Sequence, residues 1–201
     1  PRRLAVAATT LLTFALTACG GGDHDAGGNN HDSGAPPSAS VPSDAAFNAA
    51  DIAFATDMIP HHQQALEMAQ IADTRATNPQ VKALAARIRG AQDPEIATMS
   101  GWLREWGQPV PSSSPGMGHG QHSGMPGMMN DQEMADLMAA SGKDFDRTFL
   151  EMMIRHHQGA IEMCGTHQQR GQHPQAKQLA EKIAADQAAE VAHMQDLLTK
   201  L

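Results

Sequence analysis

Apolar residues in this chain recur at helical spacing over four long stretches, and breaks separate the stretches. In the first, Phe47, Ile52, Phe54, Met58, Ala65, Met68 and Ile71 follow one helical period, predicting a helix from 44 to about 76 with Ser43-Asp44 as its cap. Asn78-Pro79 restarts the chain, since proline suits a first helical turn, and Val81, Leu84, Ala85, Ile88, Glu95, Met99 and Leu103 carry a second helix to about Trp106. The glycines and prolines of 107–127 interrupt the pattern. A short segment at Asp131 to Ala140 precedes a third long helix from about Asp144 to Gln169, and His173-Pro174 opens a fourth that runs to the end. Pro60 lies inside the first helix. It either removes one backbone hydrogen bond and bends the helix, or marks a new start with proline in the first turn.

Short turns at Asn78 and His173 imply antiparallel hairpins, and two hairpins packed by pseudo-twofold symmetry make the expected fold, an all-α antiparallel four-helix bundle. The bundle should occupy 44–201: a first hairpin over 44–107, a His/Met-rich loop over 108–130, and a second hairpin over 131–201. The hairpins read as copies. Met58-Ile59-Pro60-His61-His62-Gln63-Gln64-Ala65-Leu66-Glu67-Met68 returns ninety-five residues later as Met153-Ile154-Arg155-His156-His157-Gln158-Gly159-Ala160-Ile161-Glu162-Met163. The register holds without a gap from Asp51/Asp146 through Gln92/Gln187 and Glu95/Glu190 to Leu103/Leu198.

Composition supports helix and narrows the chemistry. Aromatics make up 3%, tyrosine is absent, and Ala, Met, Gln, Leu and Glu dominate, so no sheet is expected. The formal charge of -8 and the lack of a basic patch argue against nucleic acid. There is no Ser-His-Asp pattern, phosphate-cradling glycine loop or dinucleotide fingerprint.

Residues 1–19 read as an export signal: Arg2 and Arg3 form a basic start, Leu4 to Leu16 an apolar stretch too short to span a bilayer, and small residues precede Cys19. Leu16-Thr17-Ala18-Cys19, followed by Gly20, resembles a bacterial lipoprotein cleavage box, which implies that Cys19 is acylated and tethers an exported protein to a membrane in the periplasm or at the cell surface. The alternatives are an ordinary secretory signal cut elsewhere and an apolar helix that is retained. Residues 20–43 are too polar to offset ordering entropy and read as a flexible linker, in which His24 and His31 are either stray or transient metal captors. Cys164 is then the remaining thiol.

On a helix Met58, His62, Ala65 and Met68 share a face, as do Met153, His157, Ala160 and Met163, while His61 and His156 lie about 100° away. The small alanine leaves room beside each imidazole. Glu95 and Glu190 lie on apolar stripes of the second and fourth helices with Gln92 and Gln187; burying them is costly without partners, so they are expected to meet the histidines as ligands or as orienting groups. A single methionine or histidine is most simply core packing. Duplicated His-His pairs beside methionines are not, and thioether with imidazole suits copper, as Cu(I) or Cu(II). Met117, His119, His122 and Met125 repeat this chemistry in the loop. Cys164, where the first half has Ala69, reads as a small buried residue or a thiolate ligand; His167, His173 and His193 lack counterparts and read as surface residues.

The doubled Met-x-x-His-His-x-x-Ala-x-x-Met cassette resembles the domain of unknown function 305 family, whose members include CopM-type periplasmic copper-binding proteins. The resemblance covers about residues 47–201. It implies a ferritin-like helical bundle that binds copper for tolerance or trafficking through Met58, His61, His62 and Met68 with Met153, His156, His157 and Met163; separately, a sequestering protein needs no turnover, so no catalysis is expected. Expected partners are metal ions, a membrane through the lipid anchor at Cys19, and another copper carrier. Two rivals stand beside it. A di-iron or di-manganese oxidase wants Glu-x-x-His twice, and Glu190-Val191-Ala192-His193 supplies it once while Glu95-Ile96-Ala97-Thr98 does not. A structural or partner-binding bundle would hold no metal.

Overall fold

A computed structural model describes residues 46–112 and 124–201. Five helices appear in it, α1 (Ala49–Arg75), α2 (Pro79–Glu105), α3 (Asp131–Ala139), α4 (Gly142–Arg170) and α5 (Pro174–Leu198), with no strand among the described residues. The four long helices form the bundle: α1 packs on α2, α4 on α5, and α1 on α4, whereas α2 and α5 barely meet and short α3 rests on α1 and α4. The export signal, linker and Cys19 lie outside the described residues, and none of the described helices is long and apolar enough to cross a membrane.

Helix ends follow local chemistry. α1 begins at Ala49 rather than at 44, because Asn48 is its cap: the Asn48 side chain accepts from the Ala50 and Asp51 amides, and Asp51 accepts from the Asn48 amide at 2.7 Å. Asn78 and His173 cap α2 and α5 at matching positions, each before a proline. Pro60 does not restart the helix; α1 continues through it from Ala49 to Arg75.

Two carboxylates join the hairpins. Asp146, fully buried near the start of α4, accepts from the Thr77 amide (3.0 Å), the Thr77 hydroxyl (2.6 Å) and the Asn78 amide (2.9 Å) in the α1–α2 turn. Asp51, its counterpart, is fully buried in α1 and accepts from the Gln172 and His173 amides (3.1 Å each) in the α4–α5 turn. The start of each inner helix thus meets the turn at the end of the other, which makes α1 and α4 antiparallel. Burial opposes ionisation of Asp51, but hydrogen bonds from Asn48, His167, Gln172 and His173 outweigh it and hold the carboxyl below its usual range.

His167, expected at the surface, is 3% exposed. Its Nε2–H donates to Asp51 at 2.8 Å and Phe54 stacks on its ring. Gly171 makes room for it, since a Cβ there would fall 2.3 Å from His167 Nε2. The first hairpin has Ala72 and Ala76 at these places. His173 is also not a plain surface group: it caps α5, and its ring meets the edges of Trp102 and Trp106. His193 is half-buried.

Candidate metal centre

The two histidine pairs sit at mid-length in α1 and α4, the helices that cross the bundle's centre, and all four imidazoles are 0% exposed. The pairs divide the work. His62 and His157 turn toward their own hairpin partners: His62 Nε2 lies 2.9 Å from Glu95 Oε2 of α2, and His157 Nε2 lies 2.7 Å from Glu190 Oε2 of α5. His61 and His156 meet across the α1–α4 contact, with ring centroids 3.8 Å apart. His61 Nε2 also lies 3.0 Å from the Pro126 carbonyl.

These partners fix tautomers. A carboxylate and a carbonyl only accept, so Nε2 carries a proton in His61, His62 and His157, and in His61 and His62 the neutral ring leaves the lone pair on Nδ1. Each Nδ1 is buried without a partner. His156 has no partner at either nitrogen; the His61 carbonyl is close enough to favour its charged form but is not placed to accept a hydrogen bond. Burial drives His61 down to about 3, helped by the neighbouring His62 charge, and pushes His62 down against the opposing pull of Glu95. His156 is lowered strongly by burial and by the other three imidazoles. At neutral pH these three are uncharged donors with lone pairs available.

Buried methionines lie one helical turn from the pairs. Met58 and Met153 are fully buried one turn before their pairs, in two core clusters that match by register: Met58 with Met99, Ala160 and Cys164, and Met153 with Met194, Ala65 and Ala69. Met68 is buried in the second of these clusters. Its counterpart Met163 is only half-buried and lines an outer cavity of about 310 Å³ between α1 and α4, beside Phe54, Glu162 and His167. Burial and then the nearby Glu95 charge push the Cys164 thiol up to about 12, so it stays protonated. Among the described residues no three His, Cys, Asp or Glu side chains converge as a preformed site.

A segment after the loop closes the centre from outside. Gly127 adopts φ +77, and Gly159 stands so close beneath it that a Cβ would fall 2.0 Å from the Pro126 carbonyl oxygen. Further along, Gln64 exchanges two hydrogen bonds with the Met129 backbone (2.8 and 2.7 Å), and Arg155 reaches the Met129 sulfur and Glu133. Met125 is half-buried in this segment, while Met117, His119 and His122 lie outside the described residues. Sequence reasoning missed Gln64, Gly159, Asp51 and His167 as organisers of the centre. A signal existed for Gly159: glycine inside a helix where the first copy has Gln64 marks a close backbone approach.

Fold and centre together define a class, helical bundles with paired buried histidines and methionines inside. The domain of unknown function family DUF305 matches residues 51–198. The chain belongs to that family. It is 38% identical to a DUF305 protein from Streptomyces coelicolor, over 75% of this chain and 93% of that one, with a TM-score of 0.67. A DUF305 fragment from Deinococcus radiodurans is 31% identical over 77% of this chain and 98% of its own, with a TM-score of 0.68. CopM in its Cu(I)-bound form is 31% identical over 75% and 96%, with a TM-score of 0.62, and CopM is also known in Cu(II)-bound and silver-bound forms. No curated protein matches the chain.

Proposed function

We propose that this protein binds copper outside the cytoplasm, held to a membrane by acylated Cys19, and limits or relays the ion without turning over a substrate. The observation that carries the reading is the set of buried, unpartnered imidazole nitrogens. An unmet buried polar group costs about 1–3 kcal/mol, and retaining several in both copies points to a partner that arrives from solution. Uncharged imidazole beside thioether is a soft donor set, which favours Cu(I) and also accommodates Cu(II). CopM, with copper and silver forms, supports the same choice.

In this reading His61, His62, His156 and His157 are the ligands, with Met58 and Met153 one turn away, then Met68 and Met163. Glu95 and Glu190 hold the imidazoles of His62 and His157 in the tautomer that presents Nδ1. Met117, His119, His122 and Met125 collect ions ahead of the bundle. Export is supported by the basic and apolar start of the chain and by the description of the Streptomyces relative as a candidate secreted protein.

Titrating the protein anaerobically with Cu(I) and aerobically with Cu(II), and repeating both with His61, His62, His156 and His157 changed to Ala, tests the assignment. The quadruple variant is expected to lose the tightly bound copper. Unchanged stoichiometry and affinity would move the site away from the pairs.

A further inference from the structure

Gln92 and Gln187 occupy matched positions on α2 and α5, are 2% and 3% exposed, and have no hydrogen-bond partner for either amide atom. Four unmet amide atoms at the centre of a bundle are a standing cost, repeated in both halves, that an isosteric Leu would avoid. Water or a hydrated ion satisfies such groups. One helical turn after each glutamine comes the glutamate that holds a histidine, Glu95 or Glu190.

The same two helices meet only sparsely, far less than α1 with α2 or α4 with α5. Glu95 bridges inside and outside at this seam: Oε2 holds buried His62, while Oε1 lies 3.3 Å from Nζ of Lys182, a side chain from α5 that is more than half exposed. The Glu190 side chain is 21% exposed and reaches His157, which is 0% exposed. Along each of these helices a partly exposed or bridging carboxylate that touches a buried imidazole stands one turn from an unmet amide.

We propose that the seam between α2 and α5 is the hydrated route by which a cation reaches His62 and His157, with Gln92 and Gln187 carrying its water and Lys182 guarding its mouth. The identity of the cation rests on the copper reading; the hydration of the amides does not.

Two measurements separate these. In metal-free protein, NMR cross-peaks between water and the side-chain amides of Gln92 and Gln187 are expected; dry amides overturn the route. In anaerobic stopped-flow loading from the cationic Cu(I)–acetonitrile complex, Lys182→Ala should speed uptake roughly two- to fivefold at low ionic strength and lose the advantage at high salt, since it removes a repelling charge. Gln92→Leu with Gln187→Leu should slow loading at least tenfold. Wild-type rates in either variant overturn the route, and so does loss of copper capacity in the double variant, which would make the amides ligands. A wild-type chain that takes up no copper while its amides exchange with water overturns the copper reading alone.

Discussion

Metal-free protein should lose stability on mild acidification, and the buried imidazoles set the amount. His61, His62 and His156 are neutral in the folded state because their basicity is lowered, whereas in the unfolded chain each titrates near 6.5. Between those values the unfolded state binds more protons, so stability falls as pH drops below 6.5. For His61, held at about 3 in the fold, going from pH 7.5 to 5.5 costs about 1.4 kcal/mol, and the lowered basicity of His62 and His156 adds to the loss in the same direction. Against a total of roughly 5–15 kcal/mol for a domain, that is a large share. Urea unfolding of apoprotein at pH 7.5, 6.5 and 5.5 measures it, and His156→Leu should make the slope shallower. Stability that stays flat from 7.5 to 5.5 would refute the argument, because it would mean that the imidazoles take up protons inside the fold.

Asp146→Ala should cost about 3 kcal/mol in urea unfolding, since it strands the donors of Thr77 and Asn78. The companion Asp51 has a folded value below 3.8, so its contribution is complete above that pH and disappears as pH falls through the lower folded value; an acid titration of Asp51→Asn against wild type reads the difference. Gly159→Ala should push the Pro126 segment off α4, break the His61 contact and cost about 1–3 kcal/mol, with faster proteolysis near 124–129 as the readout. Gly171→Ala should destabilise by a similar amount, roughly 1–3 kcal/mol, and His167→Ala added to it should recover part of the loss, which a double-mutant cycle detects.

The helical fold was legible because period, caps and prolines agree: the long helices fall near their predicted bounds, and the family model covers 51–198. The meeting of Glu95 with His62 and of Glu190 with His157 was legible too, because a carboxylate on an apolar stripe needs a buried partner. Asp51 and Asp146 were visible only as register marks; an acid in a first helical turn is ordinarily explained by the helix dipole, and nothing local shows that it reaches a distant turn. The placement of His167 was hidden for a related reason. Its burial depends on the missing Cβ at Gly171, and the exchange of Ala72 and Ala76 for His and Gly becomes meaningful only once both are seen in contact. Met163 departs from Met68 in environment because α3 rests on α1 and α4 while an open cavity remains at Met163.

The crossed carboxylates bear on what counts as a unit in this molecule. Each half carries an acid that cannot reach its own bend and a bend that lacks its own acid, so a half-length fragment is an incomplete object. A second fragment would supply what the first is missing, in both directions at once. Mutual completion of the two halves is therefore built into this architecture, and the fused chain makes it permanent, independent of concentration.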